Sequence, residues 1–417
     1  MKRLLIFLFV IIFIFQMSVV SFCSKKSVND DDEAQVPSTF TSTVAGGDDV
    51  SKLPVEIKAK SAVLMDVATG EVLLQYNADV KLFPASVTKI MTMLLVAEAI
   101  DNKRITLADK VACSSNAASK GGSQIWLEEG EVMTVDELLR ATAIGSANDA
   151  ATLLGEYISG SEESFIALMN ARAKELGMSN THFVNATGLD DTTEEHLTTA
   201  RDIGIMSVEL LKHEFIKKYT TVWMDSLRNG QTELVNTNKL VRFYDGTTGL
   251  KTGTTAKAGC CVSASAEREN LHLVAVVMGS ENSNDRFNTA KAMLSWGFSN
   301  YTSYTPEVDV GQYERVLVNC GRVDFTETQF PDIAPMLIKK GEEDKVEVSV
   351  DLCESVDAPV SEKQTLGTMK ITIDGKLISE YKILSRNTVH KLTFFDGVLK
   401  ILNFISNGNT AYPFADT

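Results

Sequence analysis

The chain has 417 residues, long enough for two or three domains with a full core. Apolar residues make up 44% and charged residues 23%, which excludes a wholly disordered chain, and six cysteines are too few for a disulfide scaffold. Lys and Arg total 40 against 55 Asp and Glu, a net charge of −15, and this argues against a nucleic-acid partner, whose phosphates call for basic surface.

Residues 1–23 start with Met1-Lys2-Arg3 and run into Leu4 to Phe15 without a polar residue. A basic start followed by a short apolar run reads as a secretory signal peptide, with cleavage expected near Ser21–Lys25. The alternative is a retained membrane anchor. Cys23 suggests a lipidation site, but Phe22 stands where a small residue is wanted. Residues 24–57 carry Asp30 to Glu33 and Ser/Thr/Gly-rich text with no apolar period, which predicts an acidic, solvated linker.

Residues 61–66 and 71–76 are apolar runs around Thr69-Gly70 and predict a hairpin. Met91, Leu94, Leu95 and Ala99 share one face of a helix, as do Leu138, Leu139, Thr142 and Ala143, and Phe165, Leu168, Met169 and Arg172. Strand text returns at 260–264 and at Leu271 to Met278, and a helix is expected over 285–296. Residues 58–302 therefore predict an α+β domain whose sheet is built from both chain ends, with helices inserted between. From 303 to 388 the text alternates in short strands (Val346, Val348, Val350; Met369, Ile371, Ile373), with Asp374-Gly375 as a hairpin turn, and this predicts a small all-β domain. Residues 389–406 place Phe394, Phe395, Val398, Leu399, Leu402 and Ile405 on one helical face. That face suits a helix lying in a membrane interface, and docking on the β-domain is the alternative. Residues 407–417 form a tail with no assigned role.

Three short motifs carry chemistry. Ser86-Val87-Thr88-Lys89 puts a hydroxyl beside an amine at a helix start, and a desolvated lysine can serve as the base a serine nucleophile needs. A second Ser-x-x-Lys, Ser379 to Lys382, lies in strand text, where a spacing of three puts the two side chains on opposite faces. Ser146-Ala147-Asn148 and Lys251-Thr252-Gly253 complete a set shared by penicillin-binding proteins and class A β-lactamases. Each alone also reads as a cap or a turn; the triple in this order is far more specific.

On these motifs, and on Phe83 to Thr92, Ser179 to Asn185, Thr187-Gly188-Leu189, Thr198 to Asp202 and Thr248 to Gly253, the chain resembles the D-alanyl-D-alanine carboxypeptidases among the low-molecular-weight penicillin-binding proteins. The resemblance implies a penicillin-binding-protein/β-lactamase-like α/β (α+β) catalytic domain, with an antiparallel sheet and a helical subdomain, followed by a small β-sandwich. It implies that Ser86 attacks the carbonyl between two D-alanines, Lys89 is the base, and Ser146 passes the proton to the leaving amine. Asn148 would hold the substrate peptide and orient Lys89. Backbone N–H groups of Ser86 and Thr254 would form the oxyanion hole, and Thr252 and Arg201, beside Lys251, would bind the terminal carboxylate. Gly253 would allow close approach of the edge strand to the substrate, and Thr254 stands where some members carry His or Tyr. The implied partners are peptidoglycan stem peptides ending in D-Ala-D-Ala, β-lactams as inhibitors and the membrane surface, with the protein exported to the extracytoplasmic face of a bacterial membrane.

Competing readings are a D,D-endopeptidase or transpeptidase using the same residues, and a non-catalytic wall-binding protein. A class A β-lactamase would need a Glu-x-x-Leu-Asn-like element, which 149–250 lacks. No metal or cofactor is expected, since the five histidines show no ligand spacing. Cys113, Cys260 and Cys261 read as small buried residues, while Cys320 and Cys353 share the β-domain and would bridge only if their Cα atoms come close.

Overall fold

A computed structural model describes residues 45–46 and 53–406. The signal segment, Cys23, most of the linker and the tail lie outside the described residues.

The mixed α+β part of the chain is built on one six-stranded sheet. In chain order its strands are β1 (Ala45–Gly46), β2 (Ser61–Asp66), β3 (Val72–Tyr76), β4 (Thr247–Thr255), β5 (Gly259–Arg268) and β6 (Leu271–Ser280). Their order across the sheet is β1-β3-β2-β6-β5-β4, antiparallel except for β1 beside β3. Both chain ends thus supply the sheet, as expected. The apolar run in β6 has a simple cause: the strand is central, and all ten of its residues are buried. The period of two then separates two cores. Val63, Met65, Val274, Val276 and Met278 face the inserted helices, while Ala62, Leu64, Leu273, Ala275 and Val277 face the helix Ser283–Asn300 through Phe287, Met293 and Leu294. That last helix is longer than 285–296 because Asn282 caps it by accepting from the Asp285 amide. Packing also begins before residue 58: Ile57 is buried, and Leu53 and Val55 lie against the second core.

Helix α1 (Lys89–Asp101) departs from the one-face pattern. Besides Met91, Leu94, Leu95 and Ala99, it buries Ile90, Met93, Val96 and Ala97. A helix apolar on every side belongs in the middle of a domain, and α1 is surrounded by α2 (Val135–Ala143), α3 (Asn148–Ser159), α4 (Glu162–Glu175) and α5 (Ala200–Leu211). Thr134 and Glu137 close a capping box at the start of α2. Arg172, on the expected apolar face of α4, instead ties α4 to α1 and α5 through Glu98 and Glu209.

The C-terminal β-domain contains a second six-stranded sheet. Its hairpin Thr365–Ile373/Lys376–Ser385 turns on Asp374 (φ 50°) and Gly375 (φ 73°), the two positive φ angles a tight two-residue turn requires. Ser379 and Lys382 lie within this hairpin, paired opposite Ile371 and Thr368, so the second Ser-x-x-Lys is strand. A two-stranded ribbon, Tyr301–Tyr304 with Met336–Lys339, packs Met336 and Ile338 against Ile371 of the sheet. Cys320 and Cys353 are free thiols.

Helix α6 (Phe394–Ser406) follows. Thr393 and Asp396 cap it reciprocally, and Asp396 also pairs with Arg322 of the β-domain. Among its described apolar side chains, Phe394 is 62% exposed and Phe395 77%, and Leu399 and Leu402 are also exposed. Among the described residues no helix is long and apolar enough to cross a membrane.

Candidate active site

Ser86 stands in a single 3₁₀ turn, Ala85–Thr88, that runs straight into α1. The turn is held from below. Ala85 has φ 49°, a conformation that costs a residue with a Cβ about 1–2 kcal/mol, so neighbours must impose it. A Cβ on Gly188 (φ 87°) would lie 1.8 Å from the Ala85 carbonyl oxygen, and one on Gly253 would lie 2.8 Å from the Ser86 nitrogen. Two glycines therefore let the 187–189 segment and β4 close on the Ser86 turn from different directions. At Gly253 the close neighbours are Pro84 and Ser86, at the start of that turn.

Lys89 is fully buried one turn along. Its Nζ lies 3.0 Å from Ser86 Oγ, 2.6 Å from Asn148 Oδ1 and 2.9 Å from the Thr187 carbonyl oxygen. Asn148 is oriented by its Nδ2, which donates to the Gly121 carbonyl at 2.6 Å, so its oxygen faces the lysine. Two of the three partners can only accept. A neutral amine has two N–H bonds and one lone pair; with both N–H bonds engaged, the lone pair is left facing Ser86. Burial is the main force pushing the Lys89 pKa well below the ordinary lysine value, with Lys251 adding repulsion.

Ser146 sits in the tight link between α2 and α3, buried and with φ 61°. The Asn148 amide donates to the Ser123 carbonyl, and the buried Asp149 carboxylate accepts from the Ile125 and Leu127 amides. The second motif is thus locked to the 121–127 loop on one side and to Lys89 on the other. Lys251, on β4, is fully buried with Nζ donating to the Thr252 carbonyl at 3.0 Å. Burial, then the charge of Arg286, lowers it to about 7. Thr252 Oγ1 donates to Thr237 Oγ1 at 2.7 Å. Thr237 is fixed by its neighbours, since Asn236 donates to the Val222 carbonyl and Asn238 to the Gly249 carbonyl.

The structure brings Ser86, Lys89 and Asn148 into direct contact, closes β4 at Gly253 on the Ser86 turn, and places Lys251, Thr252 and Thr254 on that same strand. Arg201 is the exception, and its expected place beside Thr252 is corrected here. Its guanidinium grips Asp79 at 2.7 and 2.9 Å and Gln75 at 2.6 Å. Gln75 belongs to β3, which is separated from β4 by β2, β6 and β5; four strand spacings amount to roughly 19 Å. The Asp79 pair holds the residue as a structural link between the start of α5 and the loop after β3. Arg201→Ala is therefore expected to lower the melting temperature slightly and to leave acylation by a penicillin within about threefold of wild type, the change typical of a surface pair. A fluorescent-penicillin time course checks this.

Sequence reasoning missed Arg286. It is 7% exposed, and its Nη1 donates to the Gly253 carbonyl (3.0 Å), Thr254 Oγ1 (2.9 Å) and the Cys261 carbonyl (3.2 Å). It braces β4 from behind. An arginine one residue before Phe287 and four before Ala290, on the buried side of an otherwise apolar helix face, was the available signal.

A family model described as D-alanyl-D-alanine carboxypeptidase matches residues 48–282, and one for the C-terminal domain of penicillin-binding protein 5 matches 321–391. The chain is 43% identical over 341 residues to the D-alanyl-D-alanine carboxypeptidase DacF of Bacillus subtilis, covering 81% of this chain and 87% of that one. Penicillin binding protein 5 from Haemophilus influenzae superposes with a TM-score of 0.68 at 28% identity, over 81% of this chain and 99% of that one. Penicillin-Binding Protein D2 from Listeria monocytogenes, solved in an ampicillin-bound form, matches with a TM-score of 0.53 at 32% identity, over 58% of this chain and 98% of that one.

Proposed function

The chain belongs to the D-alanyl-D-alanine carboxypeptidase family, and on that premise we propose that Ser86 and Lys89 carry its reaction on peptidoglycan stem peptides. The enzyme is a serine-type carboxypeptidase, and the reading of its residues rests on one observation: the Lys89 amine meets two obligate acceptors and the nucleophile hydroxyl at once. Ser86 Oγ gives its proton to the Lys89 lone pair and bonds to the carbonyl carbon between the two D-alanines. The N–H groups of Ser86 and Thr254 receive the oxyanion, where charge appears only in the transition state. Ser146 relays a proton to the departing nitrogen as the C–N bond breaks, releasing D-alanine. Water then attacks the acyl-enzyme with Lys89 again as base. Thr252, with Thr237 at its side and the Lys251 amine on the same strand, holds the terminal carboxylate. Asn148 binds the peptide backbone while orienting Lys89. Gly253 lets β4 reach the substrate.

A β-lactam presents a similar carbonyl and carboxylate and acylates Ser86. Wild-type protein is expected to take a fluorescent penicillin covalently and to release free D-alanine from a pentapeptide. Ser86→Ala is expected to do neither, and equal labelling of the two proteins would remove the reading.

The substrate places the working enzyme outside the cytoplasmic membrane, and α6 supplies an attachment to the membrane surface through its exposed Phe394, Phe395, Leu399 and Leu402. Removing 390–417 is expected to move the protein from the membrane pellet to the supernatant while D-alanine release stays at the wild-type rate. A truncated protein that still sediments assigns the anchoring to the N-terminal segment instead.

A further inference from the structure

His196 lies outside all three motifs, yet it is completely buried and hydrogen-bonded to the nucleophile turn. Its Nδ1 accepts from the Val184 amide at 3.1 Å. A backbone N–H can only donate, so Nδ1 is unprotonated and the ring hydrogen of the neutral imidazole is on Nε2. Nε2–H therefore donates to Thr88 Oγ1, 2.8 Å away. Thr88 is the third residue of Ser86-Val87-Thr88-Lys89. Phe183 meets the ring edge-on at 5.7 Å and fixes its plane. Burial, with His182 and Lys89 nearby, holds the imidazole near 4, so it remains neutral around pH 7.

The same segment grips the other side of the turn. Leu82 and Thr198 exchange both backbone hydrogen bonds, at 2.8 and 3.0 Å. Residues 196 and 198 thus bracket Ser86, holding the chain at Leu82 before it and at Thr88 after it. Between these two points lies Ala85, whose φ of 49° needs external support. The Thr187 carbonyl that accepts from Lys89, and the Ala186 carbonyl that accepts from Thr92, belong to the stretch folded between Val184 and His196.

We propose that His196 is a positioning residue for the reaction at Ser86: through Thr88 it sets the seat of the nucleophile turn relative to Lys89. The proposal rests on the assignment of Ser86 as nucleophile. His196 touches neither substrate nor reacting atoms. Its contribution is geometric, and a misplacement on the order of 1 Å at a nucleophile can cost ~100-fold in rate.

Penicillin acylation of the full-length protein, read as a saturating rate constant and a half-saturation concentration, tests it. Thr88→Val keeps the volume of the side chain and removes the acceptor. It is expected to lower the saturating rate about tenfold or more with little change in half-saturation. His196→Leu is expected to do the same, and the double variant to be no slower than the worse single one, because both remove one interaction. His196→Gln retains an amide oxygen for Val184 and an N–H for Thr88, and is expected to recover most of the rate. Where the leucine variant does not fold, Thr88→Val and His196→Gln decide the matter. Wild-type rates in folded Thr88→Val, losses that multiply in the double variant, or a glutamine variant as slow as the leucine one would overturn the proposal. A wild-type protein that takes no label would instead strike at the assignment of Ser86.

Discussion

Lys89→Met is expected to lower the acylation rate of Ser86 by about 10²–10⁴-fold, the range a positioned general base contributes, while the protein remains folded. Methionine fills the same buried channel without a base. Lys89→Arg is expected to be equally slow, because a guanidinium keeps its proton and has no lone pair to offer Ser86. The pH dependence follows from the same geometry. As the proposed base Lys89 would work in its neutral form, and burial holds its pKa well below the ordinary lysine value. The wild-type rate therefore falls on the acid side, where Lys89 takes up a proton, and levels off at a pH where an exposed lysine would still be charged. If the Lys251 ammonium is what attracts the carboxylate, a second limb descends above about 7, where that amine loses its charge. For stability the sign is opposite to that of a salt-bridged lysine. The folded state holds these protons less tightly than the unfolded chain, so burying a protonated amine costs stability. That cost is fully present below the folded pKa and disappears as pH rises through the unfolded value of about 10.4. In Lys89→Met relief of that cost is offset by the lost hydrogen bonds to the buried Asn148 and Thr187 oxygens, so the variant is expected to melt close to the wild-type temperature while barely reacting. A stopped-flow series with a chromogenic penicillin and thermal melts on the same samples measure both. Acylation by Lys89→Met within tenfold of wild type would exclude Lys89 as the base.

The second large effect comes from a residue without a side chain. Gly188→Ala would put a Cβ 1.8 Å from the Ala85 carbonyl oxygen, 2.3 Å from its carbon and 2.8 Å from Thr88 Oγ1, at a backbone φ of 87°. The left-handed backbone alone costs about 1–2 kcal/mol. The contact adds about 1–3 kcal/mol of overpacking, because backbone cannot swing aside as a side-chain end can. The expected loss is about 2–5 kcal/mol. The displaced group is Ala85, next to the nucleophile, so acylation should fall by about 100-fold in whatever protein stays folded. Gly177→Ala is the matched control: its φ is 76° and nothing lies within 4 Å of the added carbon. It is expected to show the backbone cost alone and a wild-type acylation rate. Urea unfolding of the two variants separates conformation from contact. Equal losses in both would mean that the 187–189 segment does not support the turn.

What the sequence made legible follows from how local each signal was. The Asp374-Gly375 hairpin and the alternation of Val346, Val348 and Val350 needed only neighbours along the chain. The all-buried β6 was readable because a strand covered on both faces has no polar side. The contact between Ser86 and Lys89 was legible because residues three apart along a helix start must share a face. Features that depend on distant segments were not. Nothing near Arg201 in sequence announces Asp79 and Gln75, 122 and 126 residues away, and motif resemblance alone placed it in the cleft. Arg286 was hidden by lying in an ordinary helix. His196 was hidden because its partner, Thr88, stands 108 residues earlier, in a motif whose named members are only its first and last residues.

The crowding of Lys89, Lys251 and Arg286 around β4 has one more consequence. Lys251 is held near 7 by burial and by Arg286. If Lys251 meets the substrate's terminal carboxylate as proposed, that negative charge would raise the affinity of the amine for a proton. Ligand capture and proton uptake would then be one thermodynamic event. Around neutral pH, the heat of binding an anionic peptide contains the ionisation enthalpy of whatever buffer gives up the proton. The same peptide with its terminal carboxylate amidated loses both the attraction and the uptake.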